Sequence, residues 1–190
     1  MKRAFAATKS LAVTEFRSPL GKLRVYVSPR GLIGIDLPNK REVDPRTLVA
    51  ADDRELPVGK SEGRCELVIA QLEEYFAGKR KSFDLPLAPF GGEFDRAVWR
   101  EVAKVRYGKL ATYGEIARAV GNPAACRAVG ASNGRNHIPI VIPCHRIVGA
   151  NHRLTGFGGG LELKAHMLER EGFSVSKGEI RATSRILMAE

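Results

Sequence analysis

Apolar positions change their rhythm along this chain, from short alternating runs near the start to helical spacings further on. Residues 10–37 hold LAVTEF, SPLGKLRVYV and SPRGLIGIDL, and the stretch from Leu23 to Val27 alternates as LRVYV. That is the period of a strand with one covered face. Ser18-Pro19-Leu20-Gly21 and Ser28-Pro29-Arg30-Gly31 supply the serine, proline and glycine that tight turns require. Three antiparallel strands joined by these turns are predicted. Residues 38–60 are charged, contain three prolines and show no sustained period, so they read mainly as loop. In EGRCELVIAQLEEYFAGKR, Cys65, Ile69, Leu72 and Phe76 recur at helical spacing, with Gly78 as a stop.

Pro86, Pro89 and Gly91-Gly92 mark a junction. Beyond it, FDRAVWREVAKV sets Phe94, Val98 and Val102 on one helical face with Trp99 adjacent. ATYGEIARAVG opens another helix, with Thr112 as cap and Glu115 at the capping-box position. Asn122-Pro123 then restarts a helix through AACRAVGASNG. Two short helices so spaced suggest a helix-turn-helix, though an αα-hairpin packed for its own sake explains the spacing nearly as well. Arg127 stands among the small residues Ala124, Ala125, Ala128, Gly130, Ala131 and Ser132. Such a helix is either thin enough to approach DNA or slim for internal packing, with the arginine in solvent. The IPIVI piece that follows reads as extended, because each proline disfavours helix at the residue before it. The expected fold is therefore an α/β N-terminal domain with a small antiparallel sheet over 1–90. A mainly helical C-terminal domain containing the helix-turn-helix follows over 91–173. The tail, 174–190, has a mixed composition that permits either docking or disorder.

Composition adds a bias rather than a function. Lysine and arginine total 31 against 21 acidic residues, for a net charge of +10. That excess favours a polyanionic partner, although many basic proteins bind no nucleic acid. No apolar run is long enough to span a bilayer, and MKRAFAATKSLAVTEF has no apolar core suited to a secretory signal. A cytoplasmic protein with no membrane partner is expected. Cys65, Cys126 and Cys144 form no CxxC pair, and His137, His145, His152 and His166 form no HExxH arrangement, so no metal site is expected.

Candidate chemistry concentrates in HIPIVIPCHRIVG. Here Pro143 leads an almost wholly apolar approach into Cys144-His145-Arg146. A thiolate in such surroundings needs donors or positive charge nearby, and an imidazole can take or relay the thiol proton. Adjacent residues on an extended strand point oppositely, so direct contact between Cys144 and His145 requires a turn or a bridging water. A buried structural cysteine beside a surface histidine is the plainer alternative.

The wider string resembles the O6-alkylguanine-DNA alkyltransferases, also called methylated-DNA–protein-cysteine methyltransferases. The resemblance rests on PCHRIVG, preceded by GRNHIPIVI and followed by LTGFGGGLELKAHMLEREG, together with FDRAVWREVAKVRYGKLATYGEIARAVGNPAACRAVG upstream. It implies direct repair of DNA by one irreversible transfer of an O6-alkyl group from guanine to Cys144, with O4-alkylthymine left open as a substrate. His145 would take the thiol proton through a bridging water and Glu171 would orient that imidazole. Asn136 would brace the reactive segment, and Tyr113 would donate to guanine N3. In the base pocket the resemblance places Tyr113, Ile147, Phe157, Gly158 and Gly159, with carbonyls at Cys144 and Ile147 reading the exocyclic amine. On the DNA side it places Arg127 as the finger that fills the space of an extruded base, with Thr112, Ala124, Ala128 and Ala131 around it. The implied partner is double-stranded DNA containing alkylated guanine. No cofactor is implied, and the protein is expected to be monomeric, with cooperative assembly on DNA left open. Two positions depart from the common pattern: Gly158 stands where serine is frequent, and His137 where proline is common. A cysteine hydrolase would need an oxyanion hole and repeated turnover; a non-catalytic sensor of alkylated DNA would need no reactive thiol at 144.

Overall fold

The structure, a computed structural model, describes residues 10–38, 43–59 and 63–183. It divides into two compact units: one holds Met1–Gly91 with His137–Pro139, and the other holds Gly92–Asn136 with Ile140–Glu190.

In the first unit, strands β1 (Leu11–Ser18), β2 (Gly21–Ser28) and β3 (Gly31–Asp36) pair antiparallel, as their alternation predicts. The hydroxyls of Ser18 and Ser28 each accept from the backbone two residues on and donate to the glycine carbonyl that closes the turn. Gly31 sits at φ +147°, where a side chain would strike the backbone of Pro86. The sheet is mixed rather than antiparallel, because a two-residue strand β4 (Val58–Gly59) pairs parallel to β1 in the order β3-β2-β1-β4. Nothing in the charged loop sequence signals so short an edge. Helix α1 (Arg64–Phe76) buries Cys65, Leu72 and Phe76 as their spacing predicts, together with Val68 and Tyr75; of the expected stripe only Ile69 is half-buried. The unit's core gathers Leu11, Tyr26, Ile33, Leu48 and Val49.

The second unit begins with α2 (Glu93–Ala103), whose buried face is Val98, Trp99 and Val102. Phe94, expected on that face, is among the exposed apolar residues. Strand β5 (Ala111–Thr112) leads into α3 (Tyr113–Ala119). The Thr112 hydroxyl accepts from Glu115 N at 3.2 Å while the Glu115 carboxylate accepts from Thr112 N at 2.6 Å, closing the capping box. The second helix of the pair, α4 (Cys126–Gly134), starts later than Pro123 suggested, leaving Ala124 in the exposed turn before it. Trp99 Nε1 donates to Ser132 O at 2.9 Å, and Asp95 accepts from Ser132 and Arg135, which fixes α4 against α2.

The IPIVI piece is not extended. It is a buried turn in which Ile140 takes φ 74°. That conformation costs a β-branched residue about 1–3 kcal/mol and is held by the packing around it. A 3-10 turn over Cys144–Arg146 follows, then β6 (Ile147–Val148), which pairs parallel to β5. Helix α5 (Leu161–Arg170) leads to a hairpin of β7 (Phe173–Ser176) and β8 (Glu179–Ala182). The segment expected to be a tail from Ser174 is thus folded as far as Ala182. Ile180 and Val175 pack with Val148, Leu168 and Phe173, giving the hairpin an apolar reason to dock. No helix among the described residues is long and apolar enough to cross a membrane.

Candidate active site

Cys144 opens the 3-10 turn and is 6% exposed at the wall of a cavity of about 560 Å³. Two short strands hold this turn in place, since Ala111 and Thr112 on β5 register with Ile147 and Val148 on β6. The start of α3 and the reactive turn therefore share one support. Asn136, just past the end of α4, is buried, and its Nδ2 donates to Ile142 O at 2.9 Å and to Cys144 Sγ at 3.1 Å. The first bond fixes the amide; the second aims a donor at the sulfur, which favours thiolate character.

Behind Cys144 lies a fully enclosed ionic cluster. The Glu171 carboxylate, just past α5, accepts from His145 Nε2 at 2.9 Å and from Arg146 Nε and Nη2, each at 2.9 Å. Gly108 N donates to the same carboxylate at 3.3 Å, and Arg146 Nη1 donates to Val105 O at 2.6 Å. The Arg146 guanidinium also lies 5.8 Å from the centre of the Tyr107 ring. Burial opposes ionisation of Glu171, but His145 and Arg146 outweigh it and bring the carboxyl down to about 2. Burial holds His145 below its ordinary value despite the pull of Glu171, so the resting imidazole is neutral. An ionised carboxylate only accepts, which places the ring hydrogen on Nε2 and the lone pair on Nδ1. His145 Nδ1 is buried and meets no hydrogen-bond partner among the described residues. The turn that carries Cys144 and His145 supplies the geometry that an extended strand could not.

A second buried cation was not singled out from sequence. Lys164 on α5 is fully buried, and its Nζ donates to Ile147 O at 2.5 Å and Thr155 O at 2.7 Å, with Gly156 O at 3.4 Å. Burial lowers its ammonium to about 8, with the Cys144 sulfur opposing that shift. The lysine clamps the 155–156 loop to the reactive turn. Its signal in the sequence, one lysine in LELKAHMLER, is indistinguishable from an ordinary helix-surface cation.

Of the expected pocket residues, Tyr113, Phe157 and Gly158 line the cavity with Cys144; Ile147 and Gly159 do not. The Ile147 carbonyl is engaged by Lys164, and that of Cys144 by Ile147 N. The Tyr113 hydroxyl donates to Gly156 O at 3.3 Å, and burial raises its phenol above the ordinary value. Arg127 is exposed and lines the same cavity, while Ala128 and Ala131 are exposed on α4. The Thr112 hydroxyl is committed to the cap, and Ala124 lies outside the helix. Among the described residues no group of acidic, histidine and cysteine side chains is arranged to hold a metal.

A helical unit of this kind, with a short helix pair beside a buried cysteine–histidine–glutamate cluster, defines a cysteine-centred protein with a helix-turn-helix. Two family models match the chain: the DNA-binding domain of 6-O-methylguanine DNA methyltransferase over residues 93–173, and its ribonuclease-like domain over residues 11–89. The chain belongs to the methylated-DNA–protein-cysteine methyltransferase family. A relative of that name from Methanosarcina barkeri is 40% identical over 157 residues, which cover 81% of this chain and 92% of the relative. One from Methanosarcina acetivorans is 55% identical over 102 residues, covering 54% of this chain and 65% of the relative, so the chain matches just under two thirds of that protein's length. The solved O6-methylguanine methyltransferase of Mycobacterium tuberculosis superposes with a TM-score of 0.72 at 33% identity, over 95% of this chain and 99% of that one. A structure of the M. tuberculosis OGT in complex with DNA gives a TM-score of 0.72 at 34% identity, over 85% of this chain and 92% of that one.

Proposed function

We propose that this chain repairs alkylated DNA by moving the O6-alkyl group of guanine, once and irreversibly, onto its own Cys144. The observation that carries the reading is the buried thiol with Asn136 Nδ2 at 3.1 Å, set before the His145–Glu171–Arg146 cluster in a cavity whose wall also presents Arg127. DNA is the partner that the net charge of +10 and the DNA-bound relative support.

O6 of a stacked guanine is out of reach, so the nucleotide must leave the duplex, at a cost of a few kcal/mol. Arg127 is long enough to occupy the space that the base vacates, and the short side chains of Ala128 and Ala131 let α4 come close in a minor groove. Tyr113 would then exchange its bond to Gly156 for one to guanine N3. The thiol proton passes through a water to His145 Nδ1, and the imidazolium so formed is held by the Glu171 carboxylate. The sulfur attacks the alkyl carbon as the C–O6 bond breaks. The bonding pair goes to O6, and the new bond is a thioether. Unlike an acyl-enzyme, a thioether has no hydrolytic exit, so each molecule reacts once. Because the acceptor must stay a free thiol, the reading places the protein in the reducing cytoplasm, acting as a monomer on DNA.

The test is to count product. With excess duplex containing O6-methylguanine, repaired guanine should plateau at one per protein molecule, without added metal or S-adenosylmethionine. Continued turnover would overturn the reading.

A further inference from the structure

Half of the wall around Cys144 is built from residues that offer no side-chain hydrogen bond: Gly130, Gly134, Gly149, Gly156, Phe157 and Gly158. Asn133, on the last turn of α4, stands among them and lines the same cavity. Both polar atoms of its carboxamide, Oδ1 and Nδ2, are shielded from solvent, and neither has a hydrogen-bond partner among the described residues. Asn136, three residues on, spends its amide on Ile142 O and Cys144 Sγ, and the Tyr113 hydroxyl is engaged with Gly156 O. Desolvated amides without partners are rare because each unmade bond is a standing cost, which a ligand carrying matching groups would remove.

We propose that Asn133 is a specificity-determining residue, whose carboxamide hydrogen-bonds a hydroxyl carried on the O6-alkyl group and so favours hydroxyalkyl lesions over purely hydrocarbon ones. The inference rests on the alkyltransferase reading given above. A hydroxyl is the smallest organic group that donates and accepts together, and it matches the two idle atoms of Asn133. The lesion's reacting carbon must meet Cys144, so the rest of its alkyl group occupies the cavity that Cys144 and Asn133 share. To meet that group the amide would turn from its shielded position toward the cavity that Asn133 already lines. An apolar residue at this position would favour hydrocarbon tails instead. Gly158 adds no side chain that could take over the role.

The experiment compares single-turnover transfer from duplexes carrying O6-(2-hydroxyethyl)guanine and the isosteric O6-propylguanine, for the full chain and for Asn133→Leu. Intrinsic reactivity of the two lesions cancels when their rate ratio is compared between the full chain and the variant. One neutral hydrogen bond predicts that the hydroxyethyl-to-propyl ratio falls by about fivefold in Asn133→Leu. A ratio that moves by less than about twofold overturns the assignment, including the case in which a retained water satisfies the amide. A second arm uses the unaltered chain alone and does not depend on the variant folding. Capping the hydroxyl as 2-methoxyethyl, measured against its isostere butyl, removes the donated proton and should lose most of the advantage; an undiminished ratio overturns the proposal. O6-methylguanine is run alongside. Failure to transfer its methyl to Cys144 would refute the alkyltransferase reading itself, whereas normal methyl transfer with insensitive ratios refutes only the role of Asn133.

Discussion

Replacing Glu171 with glutamine probes the cluster behind Cys144 at its centre. The two side chains are nearly identical in shape but not in bonding. In the native site one carboxylate oxygen accepts from His145 and Arg146, and the other accepts from Arg146 and Gly108. Glutamine keeps one acceptor. Whichever side its NH2 group takes, it confronts an Arg146 N–H, and the guanidinium, 5% exposed, loses its counter-charge. Breaking a buried ion pair in this way costs about 3–5 kcal/mol, a large part of the 5–15 kcal/mol that holds a typical domain together. Urea unfolding should register that loss. The double variant Glu171→Gln/Arg146→Met removes both charges and should be at least about 2 kcal/mol more stable than the sum of the single losses. Transfer to Cys144 should stay slow in both, because His145 no longer has an anion to hold its imidazolium. Acid gives an independent handle. The folded carboxyl sits at about 2 against an ordinary 4.5, so its stabilisation is present above the ordinary value and is lost as pH falls through the folded one. The native chain should lose stability over that interval more steeply than Glu171→Gln. A cost below about 1 kcal/mol, additivity in the double variant, or an unchanged transfer rate would refute the ion-pair relay.

Arg127→Ala should slow repair of paired duplex by about tenfold or more but that of single-stranded DNA far less, since the wedge matters only where stacking must be broken. Rates on the two substrates decide it, and equal small effects would return Arg127 to the role of a surface cation. Thr112→Ala opens the capping box and should cost about 1 kcal/mol in denaturant unfolding. It should also loosen the β5–β6 support, read as faster amide exchange at Val148.

Much of this was legible in the residues, and what was not has physical reasons. Period-two alternation and serine–proline–glycine turns located β1 to β3, because local sterics and one covered face decide both. Thr112 and Glu115 announced the start of α3 for the same reason: a cap is a local bond. The parallel partner β4 was invisible, since two residues of edge strand carry no period. IPIVI misled because its β-branched residues and prolines favour extension locally, whereas packing folds them into a turn with Ile140 at φ 74°. At the site, the roles of Cys144, His145 and Glu171 came from the family resemblance, and a sequence separation of 26 between His145 and Glu171 hid their contact from any local rule. Lys164 was missed because a buried lysine on a helix reads like an exposed one until its three carbonyl partners are seen. Asn133 was missed likewise, since what sets it apart is the lack of partners in a particular wall.

The most direct test of the central claim is to find where the alkyl group ends up. The chain should be incubated with duplex containing O6-methylguanine, digested, and its cysteine peptides weighed. Cys126 makes the measurement discriminating, because it is exposed and lines the same cavity as Cys144. The account predicts one methyl group on the peptide carrying Cys144, none on those of Cys126 or Cys65, and no methylated protein from Cys144→Ser even while it still binds DNA. A methyl group on Cys126, or methylation that survives Cys144→Ser, would contradict it.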